Sequence, residues 1–190
     1  MPLAAVAFGA FTAHNLPDGV EPNLEAQVTY DPPNFSWPFG THICTVEVDT
    51  ETGHVKITRL VSVLDIGTPI NPRIVETQIS GASLMQLGFS MFEKMHQDGG
   101  QVTNASLADY KIPGFHDVPA VMENLTVDTF QSNGPFGAKG VGEVATFCVS
   151  PAIANAIDDA AGIRLTELPM NPESVYSALR AKAGKPLEDE

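Results

Sequence analysis

The chain has 190 residues, with 10 Lys+Arg against 23 Asp+Glu and a formal charge of −13. That balance excludes a nucleic-acid binder built on clustered cations, and a protein adsorbed to anionic membrane. Apolar residues make up 43% of the chain and charged ones 17%, enough to bury a core and to exclude wholesale disorder.

The N-terminal quarter has no Lys or Arg before Lys56. Residues 3–13 read as a short helix, followed by a passage rich in Pro and Asn that includes Asp31-Pro32-Pro33-Asn34 and Trp37-Pro38-Phe39-Gly40. Such a passage has few regular hydrogen bonds of its own. Residues 1–40 are therefore expected to form an extended acidic segment that packs on a partner chain. The apolar start lacks the basic region of a signal peptide, and no apolar run approaches the ~20 residues of a membrane span, so a cytoplasmic protein is expected.

From Thr41 the pattern alternates with period two. His42-Ile43-Cys44-Thr45-Val46-Glu47-Val48-Asp49, the turn Glu51-Thr52-Gly53 and the run 55–65 predict a β-hairpin. Asp65-Ile66-Gly67-Thr68-Pro69-Ile70-Asn71-Pro72 reads as a loop in which Asp65 and Asn71 shape turns. A long helix is predicted over 73–94, a third strand over 125–130, and a helix from Ser150-Pro151, with Ser150 as N-cap, to Ala161 with Gly162 as its stop. A last helix spans 172–183. Residues 184–190 form a polar tail, and 41–183 form one α+β unit. Cys44 and Cys148 lack metal-ligand spacing and are too few for an iron–sulfur cluster or a disulfide scaffold, so both are expected as reduced, largely buried thiols. No residue is assigned as a metal ligand.

The stretch Asn133-Gly134-Pro135-Phe136-Gly137-Ala138-Lys139-Gly140-Val141-Gly142-Glu143 carries the chemistry. Its glycines leave amides free to lie against a ligand. It fails as a P-loop because Gly140 follows Lys139, and as a dinucleotide fingerprint because the spacing is Gly137-x-x-Gly140-x-Gly142. What remains is a nest for an anionic ligand, one cation at Lys139, and Glu143. From the residues alone Glu143 is either a base aimed at a bound centre or an acid favouring a helix N-terminus. Phe136 either walls a substrate channel or packs.

The loop resembles the C-terminal signature of the molybdenum hydroxylases, the family of xanthine dehydrogenase, aldehyde oxidoreductase and carbon-monoxide-dehydrogenase large chains. The resemblance extends through Gly40-Thr41-His42, Val46-Glu47-Val48-Asp49, Asp65-Ile66-Gly67, Ile70-Asn71-Pro72, Gln78, Gln86-Leu87-Gly88, Asp109-Tyr110 and Pro151-Ala152, in order over residues 36–180. It implies the C-terminal portion of a molybdopterin-binding domain. By the resemblance, Glu143 is the general base that takes the proton of a molybdenum-bound hydroxyl. Ala138, Lys139, Gly140, Val141 and Gly142, with Gln86, would bind molybdopterin, either alone or as its cytosine dinucleotide.

A family large subunit is several times longer, so the resemblance implies a split large subunit that needs its other part. Iron–sulfur clusters and FAD are then expected on partner subunits. The implied reaction is hydroxylation of an N-heteroaromatic or aldehyde substrate with oxygen from water. The alternatives are a non-catalytic assembly chain and part of a CO-oxidising enzyme.

Overall fold

The computed structural model describes residues 1–185. It divides into two units, Met1–Pro33 and the remainder from Asn34. The expected tail at 184–190 falls mostly outside the described residues.

In the first unit, Leu3–Thr12 forms α1, a helix without a charged residue that ends at Ala13 in the left-handed conformation (φ 56°). None of its residues is buried. Beyond it the chain makes only isolated turn contacts, such as the Val20 amide to the Pro17 carbonyl at 3.2 Å, because its prolines lack donors. The two units divide at 33/34, and regular pairing begins at Phe39.

The second unit is α+β, as the alternation and helical periods predict. β1 (Phe39–Val48) and β2 (Val55–Asp65) form the antiparallel hairpin, with a bulge between Thr45 and Val46. Its turn is fixed by Asp49, whose side chain accepts from the Glu51 amide at 2.9 Å and the Thr52 hydroxyl at 2.8 Å. α2 (Pro72–Met91) starts where Asn71 accepts the Ile74 amide at 3.2 Å. It stops short of the predicted residue 94 because the Phe92 and Glu93 amides both turn back to the Gly88 carbonyl.

The short strands β3 (Gln97–Asp98) and β4 (Gln101–Val102) and a single helical turn, α3 (Leu107–Tyr110), follow. β5 (Val121–Val127) lies parallel to β2, giving the sheet order β1-β2-β5. The predicted third strand thus starts four residues earlier and ends at Val127, because the pairing runs out at Asp65↔Val127 where β2 ends. α4 (Val149–Ala161) and α5 (Pro172–Lys182) complete the chain.

Two buried clusters hold these elements. Leu60, Leu87, Met91, Val149, Ile153, Ile157 and Val175 join the sheet to α2, α4 and α5. Leu64, Ile66, Val75, Ile79, Ala82, Val144 and Ala145 form the second, which lies under the glycine loop. Gly40 packs against the second cluster, where a Cβ would stand 2.8 Å from the Leu64 side chain and 3.3 Å from that of Val144. Leu64→Ala is expected to cost about 2–5 kcal/mol by opening a cavity in this second cluster, measured as a lower denaturation midpoint.

Candidate functional site

The glycine loop is tied to the end of β2 by backbone and charge together. Gly67 and Ala138 form an antiparallel bridge, in which the Thr68 amide donates to the Gly137 carbonyl (2.9 Å) and the Lys139 amide to the Ile66 carbonyl (2.8 Å). Both bridging segments need glycine. Gly67 sits at φ +66°, with the Gly137 carbonyl where a Cβ would go, and Gly137 sits at φ +82° against the Phe130 ring.

Lys139 Nζ reaches Asp65 Oδ2 at 2.7 Å, with the lysine side chain 7% exposed and the aspartate 18%. Thr129 Oγ1 and the Gly67 amide donate to Asp65 Oδ1 at 2.5 and 3.2 Å. Desolvation pushes the Asp65 pKa up, but the hydrogen bonds from Lys139, Thr129 and Gly67 outweigh it and hold the carboxyl below the usual carboxylate range. Lys139 Nζ also lies 5.5 Å from the centroid of the Phe39 ring. The cation expected to face a ligand is therefore already neutralised.

The structure narrows the expected amide cradle. The Ala138 amide donates to the Pro135 carbonyl at 3.0 Å and the Lys139 amide is committed to Ile66, so neither is available to a ligand. Among the described residues, the amides of Gly140, Val141, Gly142 and Glu143 have no hydrogen-bond partner. A Cβ at Gly140 or Gly142 would meet nothing within 4 Å. Open space and consecutive free donors suit an anionic, hydrogen-bonding ligand such as a pterin with its phosphate.

Glu143 is exposed, and its carboxylate makes no hydrogen bond or ion pair among the described residues. Its carbonyl accepts the Thr146 amide at 2.9 Å and the Thr146 hydroxyl at 2.7 Å. α4 begins only at Val149 and has no acidic residue in its first turn, so Glu143 is not a helix N-terminal acid. The loop around it is held from below. Gln78 Nε2 donates to the Gly142 carbonyl at 2.8 Å, and Ser83 Oγ to the Ala145 carbonyl at 3.4 Å. Ser83 in turn contacts Ser62 Oγ at 3.1 Å, and both serines are fully buried.

His42 is buried on β1 opposite Ser62, with both ring nitrogens outside hydrogen-bond geometry. Burial lowers its pKa and the backbone of Ala145 opposes this only in part, so the ring is neutral at pH 7. Cys44 and Cys148 are half-buried free thiols, and burial raises the Cys44 pKa to about 11, which leaves it unreactive.

Gln86 does not reach this loop. Its Nε2 donates to Ser150 Oγ at 2.6 Å, and Ser90 Oγ contacts the same hydroxyl at 2.7 Å, linking α2 to the start of α4. Ser150 is thus a strut between helices, while Cys148 occupies the N-cap position of α4 without a side-chain bond. Gln78, about 12 Å earlier along the helix, takes the position at the loop that Gln86 was expected to fill. The signal for it was present, because Gln78 belongs to the family run.

A loop of free amides ending in an unpaired carboxylate thus sits on an α+β scaffold. The sequence profile of the Molybdopterin cofactor-binding domain matches residues 2–119. The chain is 38% identical over 152 residues to the probable hypoxanthine oxidase XdhD of Escherichia coli K12, covering 80% of this chain and 16% of that one. It is 36% identical over 182 residues to the carbon monoxide dehydrogenase large chain of Hydrogenophaga pseudoflava, covering 94% and 22%. The solved structure of quinoline 2-oxidoreductase from Pseudomonas putida 86 superposes with a TM-score of 0.79 at 34% identity, covering 95% and 23%. The chain belongs to the molybdenum hydroxylase family, and it spans about a fifth of the length of these relatives.

Removing the loop's anchor is the direct test of its geometry. Asp65→Ala leaves the buried Lys139 ammonium without a counter-charge, and a loss of roughly 3 kcal/mol or more is expected. Faster amide exchange at Thr68 and Lys139 would locate the effect. The Asp65 contribution is present above the ordinary carboxylate pKa and is lost as pH falls through the lower folded value, so acid should release the loop in the native protein and not in the variant.

Proposed function

We propose that this chain is the small, split portion of a molybdenum hydroxylase large subunit, supplying the general base and one side of the cofactor cradle. One observation carries the reading: free amides at 140–142 lead directly to an unpaired Glu143, on a loop bolted to the sheet. A purely structural chain has no physical need for this glycine run or for Glu143 at its end. That weighs against the scaffold alternative.

Molybdopterin, alone or as its cytosine dinucleotide, would supply the metal-centred two-electron oxidation that delivers water-derived oxygen to substrate. Among the described residues no three His, Cys, Asp or Glu stand close enough to hold a metal, so the metal would arrive on the organic cofactor. The Gly140, Val141 and Gly142 amides would hydrogen-bond it, and the bare glycine Cα atoms would let it approach. Gln78 and Ser83 hold the carbonyls on either side of Glu143, fixing the backbone from which its side chain projects. The Glu143 carboxylate accepts a proton as substrate is hydroxylated, and donates it to solvent afterwards.

An N-heteroaromatic or an aldehyde is the proposed substrate class. Support comes from relatives named for hypoxanthine and for quinoline oxidation, and the carbon monoxide dehydrogenase relative keeps a CO-oxidising complex as the second reading. The proposed partners are the rest of the large subunit, an iron–sulfur subunit and a flavin subunit, because two cysteines cannot ligate a cluster. No helix among the described residues is long and apolar enough to cross a membrane, and a cytoplasmic complex is proposed.

In the assembled complex, Glu143→Gln is expected to leave molybdenum content unchanged while turnover falls by about 10²–10⁴-fold. Undiminished turnover would remove Glu143 as the base. Gly140→Leu should instead lower molybdenum per complex, measured by metal analysis, because its side chain enters the space the cofactor needs.

A further inference from the structure

One polar rung crosses the core face of the β1–β2 hairpin. His42 pairs with Ser62, between the rungs Gly40↔Leu64 and Cys44↔Leu60. Side chains two positions apart on a strand share a face, so the imidazole enters the core between two leucine rungs. His42 is 8% exposed and Ser62 is fully buried, yet neither ring nitrogen has a hydrogen-bond partner. A phenyl or aliphatic side chain would be more favourable there, because a buried imidazole loses its hydration and gains nothing in return.

The segment that follows Glu143 lies against this ring. The Val144 side chain and carbonyl stand 3.3 and 3.4 Å from where a Cβ of Gly40 would be, on the same strand face as His42. Burial holds the His42 pKa low and the nearby Ala145 backbone opposes it, so the neutral ring has one N–H to donate and one nitrogen to accept. The Ala145 carbonyl accepts from Ser83 Oγ at 3.4 Å, long for a hydroxyl donor, which leaves it the capacity for a shorter bond. Ser83 Oγ also lies 3.1 Å from Ser62 Oγ.

We propose that His42 is a positioning residue for Glu143: its ring N–H bonds the Ala145 carbonyl once a ligand occupies the amides of 140–143, and so fixes the segment from which the base projects. The proposal rests on the functional reading above. Four buried groups permit two hydrogen-bond arrangements. In the one described, Ser62 donates to Ser83 and Ser83 to Ala145, and both ring nitrogens are left over. In the other, the hydroxyl protons rotate: Ser83 donates to Ser62, Ser62 to the ring opposite it, and the ring N–H to Ala145, which satisfies every member. Unsatisfied groups flank one short segment, the amides of 140–143 outside and the imidazole inside. Seating a ligand on the first set and closing onto the second move the same backbone.

The test uses the purified complex of this chain with its companion chains, prepared with and without molybdenum. His42→Phe fills the site without a donor, and His42→Gln restores one. Amide exchange of residues 144–148, followed by mass spectrometry, reads the segment directly. In His42→Phe, kcat should fall about ten- to a hundredfold with KM and molybdenum content unchanged, as displacement of a reacting group does, and 144–148 should exchange faster. His42→Gln should recover most of both. In the wild type, 144–148 should exchange more slowly in the molybdenum-loaded complex than in the molybdenum-free one, and equal exchange would overturn the proposal without reference to any variant. So would wild-type kcat in His42→Phe, or equal losses in the Phe and Gln variants, which would make the ring a packing element. A raised KM at full kcat would also overturn it, by placing the ring in substrate binding. Glu143→Gln separates the two readings: full turnover in that variant would end the base assignment, while the exchange data still decide whether His42 holds the loop.

Discussion

The ion pair between Lys139 and Asp65 decides what the rest of the loop can do. Asp65 is the last residue of β2, and the strand's direction is fixed by its pairing with β1 and β5. Drawing Lys139 onto it pulls the glycine loop against Gly67, where the two backbones exchange hydrogen bonds. Lys139 spends both its amide and its ammonium in this contact. The run of free donors therefore begins at Gly140 and not before, and the chain then has three residues in which to present Glu143. A buried pair of this kind gains little net stability over an apolar pair of the same shape. What it contributes is position, because a charge so poorly exposed has only one place to go.

The second constraint lies beneath the loop. Val144 and Ala145 immediately follow Glu143 and are buried in the cluster with Leu64 and Ile79. The carboxylate is exposed, yet its neighbours on one side are core residues and on the other are stapled by Gln78. Polar groups also enter that core: Ser62, Ser83 and His42 are all buried there. Each would be cheaper as an aliphatic residue. Local rules broken together behind one loop are characteristic of sites where position outweighs stability.

Much of this architecture was legible in the sequence because it follows local rules. The hairpin came from period-two alternation and the Glu51-Thr52-Gly53 turn, and α2 from the apolar face that follows Pro72. What the sequence hid was pairing at long range. The start of β5 depends on its parallel register with β2, and no local signal marks where that begins. Ser150-Pro151 looks like a helix start, but Gln86 and Ser90 capture the hydroxyl across 60 or more positions. The same non-locality separates Gln78 from Gln86, since both are glutamines on one helix and only the tertiary fold sets one of them beside Gly142. The glycine motif named the loop correctly. It could not reveal that Ile66 and Pro135 consume the first two amides.

The resulting site is finished on one side only. Toward the core every anchoring group is paired: Asp65 with its three donors, the Gly142 and Ala145 carbonyls with Gln78 and Ser83. Toward the outside, the amides of 140–143 and the Glu143 carboxylate lack partners within the described chain. Asx and hydroxyl side chains cap amides in many turns. This loop carries none between Lys139 and Glu143, and its glycines make every amide there accessible. The chain has thus fixed the inward half of the loop and left the amides of 140–143 and the Glu143 carboxylate facing solvent, as the proposed base and cofactor cradle require.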